Sequence, residues 1–290
     1  MATYDTNNNP LPTLYIPHGG GPCFFMDWTM GPADTWDKME AWLRQLGASI
    51  QNKPSKNVAD KADKRPDAIV VFSAHWENDT VTINSSPQPE LYFDYYNFPP
   101  HTYELTYPAP GNPALANTIE GLLSNAGIGS RQDAKHGFDH GVFIPFMLIY
   151  PKADIPIVQV SLTTSLDPAE HIAIGQALAP LRKQNVLLVG SGLSYHNMEA
   201  LMSGSTSQSG PNTDSDTFDQ WLTDACEAPP SVRNKALCEW AAAPAARTAH
   251  PREEHLIPLM VMAGAAGEDE GKTIYKDQML GATVSAFQFG

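Results

Sequence analysis

The sequence predicts an α/β fold with a central, mostly parallel or mixed sheet covered by helices on both faces. Segments that read as strands alternate along the chain with segments whose apolar residues recur at helical spacing. The strand segments are continuous apolar runs, which is typical of strands buried on both faces. Two polar segments without an apolar period, 51–66 and 202–216, are expected to form a surface loop and a mobile low-complexity segment. Because no repeat or clean linker divides the chain, we expect a flexible N-terminus over residues 1–10 and a single domain over residues 11–290.

The predicted strands are rich in apolar and β-branched residues. The two that are closest in sequence, 67–74 and 80–86, are expected to be neighbours in the sheet. The strands are expected at 12–16, 67–74, 80–86, 155–162, 185–192 and 282–290.

The predicted helices have apolar residues on one face or along their whole length. The first places four apolar residues, from Trp36 to Leu46, on one side. In a later helix Asp167 is expected to be the N-cap and Pro168 the first helical residue. The helices are expected at 33–50, 112–127, 167–184 and 251–267, after the loop at 136–140, and around 218–222 and 235–240.

The composition argues against nucleic acid and membrane as partners. The 290 residues carry a formal net charge of −14 and the pI is about 4.9, so the surface repels polyanions and anionic lipid. No apolar stretch is long enough to span a bilayer, and the first residues lack the pattern of a signal peptide. Three scattered cysteines do not form a disulfide framework. We therefore expect a cytoplasmic protein, and its oligomeric state stays open.

Three of the nine histidines follow predicted strands, namely His18, His75 and His196. In an α/β sheet, ligands bind at the edge where the carboxyl ends of the strands lie. Separate strands are therefore expected to bring these three imidazoles together. The alternative for each is a structural histidine held by hydrogen bonds, but all three have glycine, proline or serine nearby, which favours a site.

Other histidines lie in two short motifs. His136 and His140 are four residues apart in the loop "HGFDHG", and His255 follows two glutamates in "REEHLIPL". His101 and His171 have no comparable setting and are expected to be surface or packing residues. His250 is expected to fix the loop that enters the last helix.

Neutral imidazoles together with carboxylates suit zinc or ferrous iron. Two histidines and a carboxylate with open coordination positions indicate Fe(II) and oxygen chemistry, whereas a closed histidine set indicates zinc. The spacing leaves both metals open, because the ligands are far apart in sequence.

Seven motifs in sequence order give the chain a family resemblance. The chain resembles the class III extradiol aromatic-ring-opening dioxygenases, and closely their DOPA 4,5-dioxygenase-like subgroup. The motifs cover nearly the whole chain and are "IPHGGGP", "VVFSAHWE", "YFDYYNFPPHTYELTYPAPG", "HGFDHGVFIPFMLIYP", "IPIVQVSL", "VGSGLSYHN" and "HPREEHLIPL".

The resemblance implies a single catalytic domain with a mononuclear, non-haem Fe(II), although Zn(II) is possible in the same site. It implies that His18, His75 and His255 are the metal ligands. More distant relatives use a glutamate as the third ligand, which leaves Glu254 or Glu253 as the alternative to His255.

The resemblance also implies the catalytic histidines. The family's acid–base histidine corresponds to His196, for which the role of a fourth ligand stays open. His136 and His140 are expected to face substrate and oxygen, with His140 the first choice to stabilise negative charge. The aromatic segment Tyr92–Tyr107 is expected to be either a lid or wall for the substrate ring or ordinary core packing.

The implied activity is the opening of the ring of a catechol, DOPA-like, with O2 to a muconic semialdehyde-type product. The partners would be the small catechol and O2. The alternatives on the same fold are a zinc-binding enzyme and a non-catalytic binding protein. An esterase is disfavoured, because "HGGG" at 18–21 is not accompanied by a G-x-S-x-G nucleophile elbow.

Overall fold

The computed structural model describes residues 10–51, 65–202 and 213–290. The N-terminus expected to be flexible lies almost wholly outside these ranges. Most of the polar loop 51–66 and of the low-complexity segment 202–216 also lies outside the described residues.

The strands of the described residues form one mixed sheet, as the sequence predicted. They are β1 Thr13–Pro17, β2 Ala68–Asn78, β3 Val81–Asn84, β4 Ser130–Asp133, β5 Ile157–Thr163, β6 Val186–Gly192, β7 Gly271–Met279 and β8 Ala282–Phe289. Their order in the sheet is β4-β3-β5-β2-β6-β1-β8-β7. The four central strands, from β5 to β1, are parallel, and β4 is parallel to β3. The pairs β3–β5, β1–β8 and β7–β8 are antiparallel.

The expected pairing of the second and third strands is wrong. Strand β3 pairs with β4 and β5, and β5 lies between it and β2. The reason is that both edges of β2 are already occupied, by β5 and β6, in parallel register from its first residues. No strand was predicted at β4 or β7, which form the two edges of the sheet. Both are mainly polar and partly exposed, so neither shows the apolar run that marks the central strands.

Helices cover both faces of the sheet. They are α1 Asp37–Gln51, α2 Pro113–Asn125, α3 His140–Ile149, α4 Pro168–Leu178, α5 Met198–Met202, α6 Thr213–Glu227, α7 Pro230–Cys238, α8 Ala246–Ala249 and α9 Ile257–Ala266. On β6, Gly190 lies against the backbone of Pro258 in α9, and the next residue, Ser191, donates a hydrogen bond to the carbonyl oxygen of Gly141 in α3. Since successive strand residues point to opposite faces, α9 and α3 cover opposite faces. No helix in the described part of the chain is long and apolar enough to cross a membrane.

The parallel centre of the sheet brings the ends of β1 and β6 and the middle of β2 to one edge. Pro17, the last residue of β1, is level with Gly192, the last of β6, and Ser73 in β2 is level with Ser191. The residues that follow these positions therefore meet at the carboxyl edge, as the sequence predicted.

Gly192 allows the chain before α9 to lie against this edge. A Cβ at this position would lie 2.1 Å from the carbonyl oxygen of His255. That oxygen also accepts hydrogen bonds from the hydroxyl of Tyr15, at 2.7 Å, and from the backbone N–H of Leu193, at 3.2 Å. The absence of a side chain at Gly192 therefore fixes how closely His255 approaches the sheet.

Gly192→Ala should lower the free energy of unfolding by about 1–3 kcal/mol, the range for an overpacked site. Urea denaturation of the metal-free protein measures this quantity. The matched control is Gly121→Ala in α2, where a Cβ would meet nothing within 4 Å. Because alanine is favoured over glycine in a helix by about 0.5–1 kcal/mol, the control should be neutral or stabilising. Equal stability of Gly192→Ala and the wild type would contradict the close approach.

Candidate active site

His18 and His75 face each other through ring nitrogens at the carboxyl edge of the sheet. Their Nε2 atoms lie 3.3 Å apart. His18 directly follows β1 and is buried, and its backbone N–H donates to the carbonyl oxygen of Gly192 at 3.3 Å. The turn after His18 requires glycine at Gly19, where φ is +85° and a Cβ would lie 2.5 Å from the sulfur of Cys23. The "PHGGGP" motif therefore serves to turn the chain sharply behind a buried imidazole.

His75 lies inside β2 and not after it, which corrects the predicted strand end. The register between β2 and β5 shifts between Phe72 and Glu77, and the strand then continues to Asn78. His75 thus sits on the irregular stretch of a strand. Its backbone N–H is held by the hydroxyl oxygen of Ser73 at 3.2 Å.

Two more imidazoles complete what we call the imidazole cluster, which consists of His18, His75, His140 and His255. The ring centroid of His255 lies 5.2 Å from that of His18 and 4.9 Å from that of His75. The corresponding distances for His140 are 5.1 and 3.9 Å. The fold therefore brings the three sequence-predicted ligands together and adds His140 beside them.

Each side of the imidazole cluster is held by a carboxylate. Asp94 accepts a hydrogen bond from Nδ1 of His140 at 2.9 Å. Glu254 accepts from Nδ1 of His255 at 2.8 Å, and Nδ1 of His196 lies 2.9 Å from the same oxygen, Oε1. Carboxylates in this position fix the tautomer and the orientation of metal-binding imidazoles.

The low pKa values of three imidazoles in the cluster favour their uncharged form, which can bind a cation. Burial lowers the pKa of His18, His75 and His255 well below the usual value for histidine, and neighbouring imidazoles lower it further. Nε2 of His255 is buried and has no hydrogen-bond partner. The pKa of Asp94 is lowered, because the hydrogen bond from His140 and the nearby imidazoles outweigh the effect of burial.

These neutral nitrogens therefore fit a divalent metal such as iron or zinc. Within the described residues, two groups have donor atoms that all lie within 4.8 Å of one another. One is His18, His75 and His140, and the other is His196, Glu254 and His255. The expected ligand set draws two members from the first group and one from the second.

His196 lies beside the imidazole cluster and is partly exposed. Its ring stacks on that of His255 with centroids 3.4 Å apart. Its backbone N–H donates to the carbonyl oxygen of Ala249 at 2.9 Å, and buried His250 contacts the carbonyl oxygen of Ser194 at 2.9 Å. His250 thus fixes the loop that carries His196, and burial lowers its pKa to about 3. A partly exposed imidazole next to a buried cluster can exchange protons with solvent.

The two glutamates of the "REEH" motif point in different directions. Glu253 forms an ion pair with Arg247 at 2.6 Å. Glu254 holds the Nδ1 atoms of His196 and His255, and Arg252 lies 3.4 Å from its other oxygen. Neither glutamate accepts a hydrogen bond from Nε2 of His255, and this nitrogen has no hydrogen-bond partner.

His136 stacks on an aromatic ring. Its ring is parallel to that of Trp76, with centroids 3.9 Å apart. Its Nε2 is buried without a partner, and burial lowers its pKa. The two histidines of "HGFDHG" therefore have different surroundings, since His140 belongs to the imidazole cluster and His136 contacts Trp76.

The histidines expected to lie outside the site do so. His171 is buried, and its Nδ1 contacts the carbonyl oxygen of Asp167 at 2.7 Å. His101 is exposed, and its Nε2 lies 3.1 Å from the carbonyl oxygen of Phe25.

The aromatic segment Tyr92–Tyr107 is in part ordinary core packing. Tyr95 and Tyr107 are buried in the core, whereas Tyr92 and Tyr96 are exposed. The ring centroid of Tyr95 lies 6.0 Å from that of His140, so the segment reaches the imidazole cluster. Its role as a lid or wall for the substrate ring stays a prediction.

Two acidic residues of the site were not singled out from the sequence. Asp94 lies in an irregular segment, where no periodicity marks its contacts. Asp139 is fully buried and accepts hydrogen bonds from the hydroxyl of Ser73, at 2.7 Å, and from the side-chain amide of Gln159. Burial raises its pKa to about 6. Its place between the two histidines of "HGFDHG" was the available signal.

Known proteins match this chain over most of its length. The family model described as the catalytic LigB subunit of aromatic ring-opening dioxygenase matches residues 29–288. The dioxygenase tasH of Hapsidospora irregularis is 37% identical over 290 residues, covering 96% of this chain and 85% of that protein. The 4,5-DOPA dioxygenase extradiol of Beta vulgaris is 38% identical over 241 residues, covering 81% of this chain and 88% of that protein. An uncharacterized protein of Escherichia coli K12 has a crystal structure that aligns with a TM-score of 0.72 at 27% identity, covering 97% of this chain and 100% of that chain.

The metal-free protein should lose stability as the pH falls below about 6.5, the ordinary pKa of histidine. His18, His75 and His255 have lowered pKa values when folded, so below that pH the unfolded chain binds protons that the folded protein does not. Each group then lowers the free energy of unfolding by up to about 1.4 kcal/mol per pH unit. Urea denaturation at pH 7.5, 6.5 and 5.5 measures the slope, with exposed His101→Gln as the control that should keep it. Constant or rising stability towards pH 5.5 would contradict the buried neutral cluster.

Proposed function

The chain belongs to the extradiol family of aromatic ring-opening dioxygenases, that of the catalytic LigB subunit, and we propose that it uses Fe(II) and O2 to open the ring of a catechol. The chain is therefore an enzyme, and the alternative of a non-catalytic binding protein is set aside. The observation that carries the proposal is the convergence of His18, His75 and His255 at the carboxyl edge of the sheet, where burial lowers the pKa of each imidazole. The proposed product is a muconic semialdehyde, and the proposed substrate class is DOPA-like catechols, since the relative from Beta vulgaris is named for DOPA.

We propose that His18, His75 and His255 hold the metal. Support comes from their mutual distances, from their low pKa values and from the unpartnered Nε2 of His255. Iron held by these three residues would supply the redox chemistry that the reaction of a catechol with O2 needs. Zinc suits the same nitrogens, and a zinc-binding enzyme stays the second candidate because these ligands do not discriminate between the two metals.

His196 is the proposed acid–base residue. Its Nδ1 is held by Glu254, so its Nε2 is the nitrogen left to take a proton from a catechol hydroxyl and to return it to the product. Its partial exposure gives it access to solvent for the exchange of that proton.

His140 is the proposed residue facing oxygen, with His136 as the second choice. His140 is a member of the imidazole cluster, and the Asp94 carboxylate would hold its ring in place to stabilise the negative charge that develops on oxygen. His136, stacked on Trp76, would contribute by shaping the substrate pocket together with exposed Tyr92.

The proposed organisation is a single catalytic domain over residues 11–290. Support comes from the one sheet that contains every strand of the described residues and from the family match over residues 29–288. A cytoplasmic location is proposed as well, because the three cysteines are unpaired thiols, as is usual in a reducing compartment.

Oxygen uptake tests the proposed function. The protein is stripped of metal, loaded with Fe(II) without air and mixed with O2 and a panel of catechols that includes L-DOPA. We expect one O2 consumed per catechol and a yellow product, because ring opening next to the diol extends the conjugation. Zinc loading is the matched control and should give no uptake, since zinc has no redox chemistry. Bound iron with no uptake from any catechol, or activity that is higher with zinc, would contradict the proposal.

Two histidine variants separate ligand from base. His75→Ala should lose bound metal and activity together. His196→Ala should keep its metal while kcat falls by about 100-fold or more, the usual effect of losing a general base. Metal content by elemental analysis and oxygen uptake measure the two effects, and loss of metal from His196→Ala would make this residue a ligand.

A further inference from the structure

We propose that Asp94 is a positioning residue that fixes the tautomer and placement of His140 and connects the aromatic segment Tyr92–Tyr107 to the imidazole cluster. The proposal rests on the proposed function only for its effect on the reaction rate, because the tautomer itself is a property of the protein.

The Asp94 carboxylate contacts His140 at two places. Its Oδ1 accepts a hydrogen bond from the backbone N–H of His140 at 2.9 Å. Both carboxylate oxygens lie 2.9 Å from Nδ1 of the ring. An ionised carboxylate can only accept hydrogen bonds, so Nδ1 carries the hydrogen and Nε2 of neutral His140 keeps its lone pair.

His140 is the main partner of Asp94. The nearest ring nitrogen of His75, Nδ1, lies 3.6 Å from Asp94, which is beyond hydrogen-bond distance. The backbone contact matters as well, because His140 is the first residue of α3 and its N–H has no partner within the helix. Asp94 thus holds both the start of the helix and the ring that the helix carries.

The segment that carries Asp94 is itself anchored beside α3. The backbone N–H of Tyr92 donates to the carbonyl oxygen of Phe138 at 2.8 Å. The N–H of Phe138 in turn donates to the carbonyl oxygen of Glu90 at 2.8 Å. The hydroxyl of Tyr95 donates to the carbonyl oxygen of Thr102 at 2.6 Å, which closes the segment on itself. The carboxylate therefore reaches His140 from a well-connected segment that also presents Tyr92 at the surface.

This arrangement gives the two ring nitrogens of His140 different roles. Nδ1 stays on the Asp94 carboxylate, and Nε2 is the nitrogen left to face a ligand. The same logic makes the carboxylate of a Ser-His-Asp triad essential through the tautomer it enforces.

Asp94→Asn tests the proposal because the two side chains have the same shape. The amide oxygen can still accept from the backbone N–H of His140, but the amide nitrogen donates and therefore favours the opposite ring tautomer. The direct readout is the NMR spectrum of 15N-histidine-labelled, zinc-loaded protein, with the His140 signal identified by its absence in His140→Gln. We expect the Nδ1–H tautomer in the wild type and the Nε2–H tautomer in Asp94→Asn, with zinc content unchanged.

Further variants keep the result interpretable. Asp94→Glu retains a carboxylate and should keep the Nδ1–H tautomer of His140. Asp79→Asn removes the same charge from an exposed turn and should leave that tautomer unchanged. Retention of the Nδ1–H tautomer in Asp94→Asn, its loss in Asp94→Glu, or loss of zinc from Asp94→Asn would overturn the proposal.

Kinetics of the iron-loaded protein give the second readout. Asp94→Asn should lower kcat by about 100-fold or more while KM stays within a few-fold, since a histidine held in the wrong tautomer fails in the chemical step and not in substrate binding. Unchanged kcat in an active enzyme would overturn the catalytic part of the proposal. If the wild type opens no catechol, the proposed function fails, while the tautomer comparison still decides the role of Asp94.

Discussion

The contact between Nε2 of His18 and Nε2 of His75, at 3.3 Å, is the constraint on which the rest of the site depends. Two protonated imidazoles at this distance would repel each other strongly, and both rings are largely withdrawn from water. The pair is therefore stable only with at least one ring neutral, or with a cation shared between the rings. The sheet enforces the contact, because β1 and β2 both run parallel to β6, which lies between them.

Other features of the site keep this pair in place and open to a ligand. Gly192 lets the backbone of His255 approach the sheet, and Gly19 turns the chain away behind His18. Asp94 and Glu254 hold the outer nitrogens of the remaining imidazoles, which directs their other nitrogens to the proposed ligand and proton-transfer roles. The two carboxylates thus lie on opposite sides of a set of imidazole nitrogens. Such a set is suited to binding a metal and to proton transfer next to it.

The sequence predicted the features that follow from regular structure. Parallel strands end at the same edge, so His18 and His196 could be placed together without a structure, and His255 joined them through the family resemblance. The bend that puts His75 inside β2 was not predictable, because it comes from a register shift against β5. The predicted pairing of β3 with β2 was wrong for a similar reason. Proximity in sequence does not reveal that another strand, β5, lies between them in the sheet. Asp94 was missed because its contacts arise in an irregular segment, where neither period nor spacing identifies a partner.

X-ray diffraction from crystals of the iron- or zinc-loaded protein, recorded at the absorption edge of the metal, tests the central claim most directly. One anomalous peak is expected at about 2.0–2.1 Å, the usual zinc–nitrogen distance, from a ring nitrogen of each of His18, His75 and His255. His196 should lie beside this peak without coordinating it. A peak held by His196 and Glu254, or no peak between His18 and His75, would contradict the account.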